Sequence, residues 1–173
     1  MKLVVAISGA SGVGLAQKFI NAIPKDIDVY VVATKHSLVV AKLERDNIKI
    51  YDNDNIGASI ASGSFRVDAT AIIPCSMNTL AKISCGIADN LVTRVASVAL
   101  KERKKLLIAP REMPFSTIAL ENMSKLSSMG AIISPPVMGY YSDSSSIDDM
   151  ENFIIGKWLD SLEIENNLYK RWE

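Results

Sequence analysis

Polar chemistry in this chain gathers in four short strings. They are Gly9-Ala10-Ser11-Gly12-Val13-Gly14, Thr34-Lys35-His36-Ser37, Pro74-Cys75-Ser76-Met77-Asn78-Thr79 and Pro110-Arg111-Glu112-Met113-Pro114. In the first, glycines stand between an apolar run and a helical pattern, where backbone N–H groups can approach a phosphate at a helix N-terminus. Its G-x-x-G-x-G spacing is not the G-x-G-x-x-G dinucleotide fingerprint, and no Lys follows as in a P-loop. A tight turn that needs small residues would read the same way. Ser76, Asn78 and Thr79 offer two hydroxyls and an amide ahead of a helix, suited to a phosphate or to the polar edge of a flavin ring. Ser76 serving only as an N-cap is an equally good reading. Arg111-Glu112 lies between prolines that stiffen its loop, and an Arg there can hold phosphate oxygens bidentately; the alternative is a solvated pair of opposite charges.

Other residues say less when taken singly. Arg94 and Lys101 are seven apart, two helical turns, and so project from one face. Glu44, Tyr140 and Tyr141 carry no signal of their own. His36 is the only histidine. A hydrolase triad or a histidine-ligated metal would have to pass through it, yet no G-x-S-x-G or H-E-x-x-H surrounds it. Cys75 and Cys85 form neither a disulfide framework nor a metal-type pair, and read as thiols in a reducing compartment.

The elements that must position these strings follow from periodicity. Lys2–Ser8, Asp28–Thr34, Ile48–Tyr51, Ala69–Ile73, Lys105–Ala109 and Ala131–Ser134 read as strands, with Pro74 and Pro110 closing the fourth and fifth. Helical spacing covers Ala16 to Ile23 before Pro24, then Ser37–Arg45, Met77–Ser84, Asn90–Arg103 capped by Asp89, Ser116–Met129 up to Gly130, and Ile147–Leu162. Asp52–Ser64 reads as a surface loop with a single helical turn, and Ser144-Ser145-Ser146 as a short flexible loop. Apolar strands alternating with helices mean a parallel sheet covered on both faces. The expected fold is α/β: one domain over residues 1–173, a doubly wound, Rossmann-like three-layer sandwich with a C-terminal helix and tail. In such a sheet, ligands bind beyond the C-terminal ends of the strands, and all four strings fall there.

Composition narrows the function classes. Of 173 residues, 49% are hydrophobic and 22% charged, a globular balance. Nineteen Lys plus Arg against nineteen Asp plus Glu give zero formal charge, which removes the broad basic field of a nucleic-acid or membrane-surface binder. A neutral, apolar chain has reason to hide surface in an oligomer. The apolar run at Met1–Ile7 is too short for a signal segment, and none approaches the ~18 residues a transmembrane helix needs. A cytoplasmic protein is expected.

Taken together, the strings resemble a known family. Ile7-Ser8-Gly9-Ala10-Ser11-Gly12, Ala61-Ser62-Gly63-Ser64-Phe65, Pro74-Cys75-Ser76-Met77-Asn78-Thr79-Leu80, Leu100-Lys101-Glu102-Arg103, Arg111-Glu112-Met113-Pro114 and Gly130-Ala131-Ile132-Ile133-Ser134-Pro135-Pro136-Val137 are similar, in order, to motifs of the UbiX-type flavin prenyltransferases. The match runs from Ile7 to about Trp172. Older family labels, aromatic-acid or 3-polyprenyl-4-hydroxybenzoate decarboxylase, name the activity of a partner enzyme.

The resemblance implies a metal-independent homododecamer that joins the dimethylallyl group of dimethylallyl monophosphate to N5 and C6 of FMN. The prenylated FMN then serves a UbiD-type decarboxylase. Carried over by position, Gly9, Ala10, Ser11, Thr34, Ser76, Met77, Asn78, Thr79 and Arg111 correspond to FMN-binding residues. Arg94, Lys101, Tyr141 and Lys157 correspond to the prenyl-phosphate set, and Ser11, Glu44 and Glu112 to groups handling protons and the N5 region. Cations and a Tyr hydroxyl suit a departing phosphate, and a carboxylate beside it suits proton exchange. The chain departs from the family in having Lys157 where Arg is usual, Asn78 where Lys is common, and Gln17-Lys18 where many relatives place an Arg. Lys157 keeps the charge but not the bidentate fork, so weaker phosphate affinity is expected. Two rivals share the FMN: a flavin-dependent decarboxylase of the cysteine-decarboxylase type, which relies on a catalytic histidine in a motif that His36 does not occupy, and a non-catalytic FMN carrier, which would not need Glu44, Arg94, Lys101 and Arg111-Glu112 together.

Overall fold

The computed structural model describes residues 1–9, 11–34, 46–140 and 146–171. The helix expected over 37–45, together with Ala10, His36, Glu44 and Tyr141, lies outside the described residues. Among the described residues six strands form one sheet: β1 (Lys2–Ile7), β2 (Asp28–Ala33), β3 (Ile48–Asp52), β4 (Ala69–Cys75), β5 (Lys105–Pro110) and β6 (Ile132–Ile133). Every pairing is parallel and the order is β3-β2-β1-β4-β5-β6. Among the described residues five α-helices accompany them: α1 (Val13–Ala22), α2 (Met77–Ser84), α3 (Leu91–Lys101), α4 (Thr117–Ser128) and α5 (Ile147–Ser161).

The central strands are apolar along their whole length because both faces are covered. Leu3, Val5 and Ile7 of β1 point into a core built with Phe19 and Ile20 of α1 and Ile155, Trp158 and Leu159 of α5. Val4 and Ala6 point the other way, toward Leu80 of α2, Leu91 and Val95 of α3 and Leu126 of α4. Helices on opposite faces make the sheet doubly wound, as the alternation of elements requires. Among the described residues Trp158 is the largest fully buried side chain; its ring meets Phe19 edge-on at 6.0 Å and its indole N–H donates to the Ser134 carbonyl at 3.0 Å.

Several boundaries differ from the sequence expectations for local reasons. β4 does not end at Ile73: it runs through a cis Ile73–Pro74 bond to Cys75. The ladder to β5 is irregular between Ile72 and Cys75, which accommodates a residue with no N–H to donate. β5 likewise includes Pro110. Asp89 does not cap α3. Asn90 does, its Oδ1 accepting the Thr93 N–H at 3.0 Å while Thr93 Oγ1 accepts the Asn90 N–H at 3.3 Å. Asp89 instead takes Lys82 Nζ at 2.6 Å, which holds its carboxyl below the ordinary aspartate value. Ser146 is more than loop: it caps α5 in a reciprocal pair with Asp149. The 52–64 segment holds two short 3₁₀ turns, Ser59–Ala61 and Gly63–Phe65, where one helical turn was expected.

Candidate active site

In this strand order the chain leaves β1 toward one edge of the sheet and β4 toward the other, so the topological switch lies between their C-terminal ends. Hydrogen bonds lace the exits of four strands into one rim. The Thr34 N–H donates to the Ile7 carbonyl at 3.0 Å, joining β2 to β1. Ser8, fully buried after β1, accepts the Ser76 N–H on its Oγ at 2.8 Å and donates that hydroxyl to the Pro74 carbonyl at 3.3 Å. The Arg111 N–H donates to the Cys75 carbonyl at 3.2 Å, adding the exit of β5.

Along this rim, Gly9, Ser11, Asn78, Arg111 and Glu112 are exposed, and Thr34, Ser76 and Met77 half-buried. The expected FMN-binding set therefore lies on one edge of the sheet, Ala10 being outside the described residues. Thr79 is the exception, for it is buried and faces its own helix. Ser76 acts as the cap of α2, its Oγ accepting the Thr79 N–H at 3.2 Å and donating to Thr79 Oγ1 at 3.0 Å. What the string presents outward is Asn78, while the half-buried Met77 packs against the core.

The helix starts differ in what they leave open. Side chains of Ser76, Asn90, Ser116 and Ser146 cap α2, α3, α4 and α5. At α1 the capping position is Gly12, at φ +104° and with no side-chain acceptor, and no atom lies within 4 Å of where a Cβ on Gly12 or Gly14 would sit. Among the described helices, α1 alone offers its first amides to an anion without a competing side chain. A phosphate there would lie beside the exits of β1 and β2.

Glu112 is held at one oxygen: Oε1 accepts the Met113 N–H at 3.1 Å, ahead of a cis Met113–Pro114 bond. The nearby thiol is chemically quiet. Cys75 is fully buried, and burial pushes it up to about 12. No group of His, Cys, Asp and Glu that could hold a metal occurs among the described residues, and no helix among them is long and apolar enough to cross a membrane.

The expected prenyl-phosphate residues do not all converge within one chain. Lys157 is exposed on α5 beside the exit of β6, on a groove formed with Ser134, Val137, Met138, Phe153 and Trp158. Arg94 lies in the first turn of α3, its Nε donating to the Ala61 carbonyl at 3.4 Å. Lys101 ends that helix, about 10 Å further along its axis. There the chain turns into Lys105, which pairs with Ala69 at the start of β4, so Lys101 stands at the opposite edge of the sheet. It pairs with Glu102 at 2.7 Å. Tyr141 is outside the described residues. At the Gln17-Lys18 departure, Lys18 is engaged away from the rim, binding Asp148 and Glu151 of α5.

Two residues absent from the sequence candidates hold the arrangement together. Ser8 ties two strand exits, and its only signal is a hydroxyl closing an apolar strand. Asn53, nearly buried after β3, accepts the Leu91 N–H on its carbonyl at 2.8 Å and the Val92 N–H on Oδ1 at 3.0 Å. Nothing in its local sequence marks it.

Known proteins share this fold and much of this sequence. The family model described as Flavoprotein matches residues 1–159. Flavin prenyltransferase UbiX of Helicobacter pylori is 51% identical, over 99% of this chain and 98% of its own. The protein of that name from Methanocaldococcus jannaschii is 43% identical, over 99% and 98%. Among solved structures, a dodecameric FMN-dependent UbiX-like decarboxylase from Escherichia coli O157:H7 superposes with a TM-score of 0.92 at 38% identity, covering 100% of both chains. AnUbiX (PadA1), in complex with FMN and dimethylallyl pyrophosphate, superposes with a TM-score of 0.92 at 35% identity, over 99% of this chain and 97% of its own.

Proposed function

We propose, from the premise that this chain belongs to the flavoprotein family and within it to the UbiX-type flavin prenyltransferases, that it transfers the dimethylallyl group of dimethylallyl monophosphate to N5 and C6 of reduced FMN. The observation that carries the reading is the laced rim, which sets an uncapped α1 start, Met77-Asn78 and Arg111-Glu112 along one edge at the switch point. These residues fit FMN: bare amides and glycines suit its phosphate, and the half-buried Met77 beside the exposed Asn78 suits a flat ring with a polar edge.

Reduced FMN supplies the nucleophilic nitrogen and carbon to which the prenyl group is joined. Gly9, Ala10, Ser11 and Thr34 hold its phosphate end, and Met77, Asn78 and Arg111 its ring. Ser76 and Thr79 contribute by shaping the start of α2. Cleavage of the allylic C–O bond leaves a carbocation and a phosphate, and Arg94, Lys101, Tyr141 and Lys157 stabilise that departing anion. Glu112, fixed through Oε1, exchanges the proton lost when the new carbon–carbon bond forms, with Glu44 and Ser11 completing the proton path. Orientation matters because the allylic cation must meet the ring before water does.

Lys101 reaches such a site only from another copy of the chain, which is the reason for a homo-oligomer, a dodecamer by analogy with the Escherichia coli neighbour. The product passes to a UbiD-type decarboxylase, and the setting is the cytoplasm.

The test is anaerobic incubation with reduced FMN and dimethylallyl monophosphate, then mass spectrometry of the released flavin. The expected product is heavier by one five-carbon prenyl unit. Glu112→Gln should still bind FMN but slow transfer by about 10²-fold or more. Unchanged flavin from protein that demonstrably binds FMN would overturn the transferase and leave the carrier.

A further inference from the structure

We propose that Asn53 is a positioning residue for Arg94, acting through the start of α3 to set the affinity for the prenyl phosphate. The proposal rests on the function argued above. Asn53 follows β3 and accepts the first two amides of α3, Leu91 N–H on its carbonyl and Val92 N–H on its side chain. Asn90 takes the third, so the start of the helix is fixed at every turn-opening amide up to the residue before Arg94.

The same connection between β3 and β4 grips the helix twice more. The Ala61 carbonyl takes Arg94 Nε, leaving the terminal guanidinium nitrogens without a partner among the described residues and able to engage two phosphate oxygens. Further on, Gly63 lies against Glu102: a Cβ there would collide with Glu102 Oε1, the carboxylate that holds Lys101. The 53–63 segment thus frames both α3 cations, and Asn53 is its side-chain anchor. None of these contacts involves the exits of β1, β4 or β5, so the frame acts on the prenyl phosphate and not on FMN.

The test compares wild type, Asn53→Ala, Asn53→Asp, Arg94→Ala and the Asn53→Ala/Arg94→Ala double variant, each as the full chain. FMN affinity, thermal midpoint and the KM for dimethylallyl monophosphate are measured for each. Asn53→Ala should raise that KM by about tenfold, the scale of a displaced binding group, with FMN affinity unchanged. Asn53→Asp, which keeps the acceptor, should restore it. In the Arg94→Ala background the Asn53 change should lower the thermal midpoint without a further rise in KM. An equal rise in KM with and without Arg94, or a parallel loss of FMN affinity, would show a merely structural role and overturn the proposal. A wild-type chain that makes no prenylated flavin overturns the function itself, and the positioning role with it.

Discussion

Replacing Ser8 by alanine removes one oxygen and tests whether the rim is held as described. That Oγ is fully buried and makes two hydrogen bonds, accepting the Ser76 N–H at 2.8 Å and donating to the Pro74 carbonyl at 3.3 Å. The two losses are unequal. The Pro74 carbonyl keeps the Ser8 backbone N–H at 3.1 Å and remains satisfied. The Ser76 amide loses its acceptor at the point where the chain turns from β4 into α2. Leaving such a donor unsatisfied costs about 2 kcal/mol, which in a domain of this size lowers the thermal midpoint by about 4–8 °C. Because Ser76 opens the string that carries Met77 and Asn78, FMN affinity should fall as well. Scanning calorimetry reads the first effect and fluorescence titration with FMN the second. A midpoint within 1 °C of wild type, with unaltered FMN affinity, would refute the idea that this hydroxyl couples the exits of β1 and β4.

Two further outcomes follow from titratable groups. Burial pushes the Asp160 carboxyl up, but Arg171, Tyr169 and Asn166 together hold it below the ordinary aspartate value. A depressed carboxylate stabilises above the unfolded value of about 3.9 and loses that contribution as pH falls through the folded one. Hydrogen exchange over residues 162–171, corrected for intrinsic rates, should therefore show the tail anchored from pH 7 to pH 5 in wild type and released at pH 7 in Asp160→Asn. Release of the wild-type tail by pH 5 would contradict the assignment. The thiols should differ in reactivity: Cys75 is buried with its thiol pushed up to about 12, whereas Cys85 is exposed on this chain. Iodoacetamide at pH 8 followed by peptide mass spectrometry should leave Cys75 unmodified until the protein is denatured.

Much of the architecture was legible in the residues because it depends on properties each segment carries alone. Leu3 to Ile7 and Leu106 to Ala109 are apolar at successive positions, and only a strand covered on both faces buries such a run. The glycines after β1, the Ser76 start and the proline-flanked Arg111-Glu112 were each readable as strand exits, and the parallel alternation of elements sends such exits to one edge. The resemblance to UbiX-type motifs was carried by these same strings.

What tertiary structure decided was the choice of partner, which local pattern cannot specify. Asp89 and Asn90 are both competent caps, and the choice fell to Asn90 because Thr93 reciprocates while Lys82 takes Asp89. Arg94 and Lys101 share a helix, but only the path of the chain into β5 shows that Lys101 stands at the far edge of the sheet from Arg111. Ser8 and Asn53 satisfy amides 68 and 39 residues away in the chain, and no periodicity encodes a pairing at that range. Burial preference is a property of a residue and its neighbours in sequence. A hydrogen-bond partner is a property of two segments that meet only after the sheet has formed.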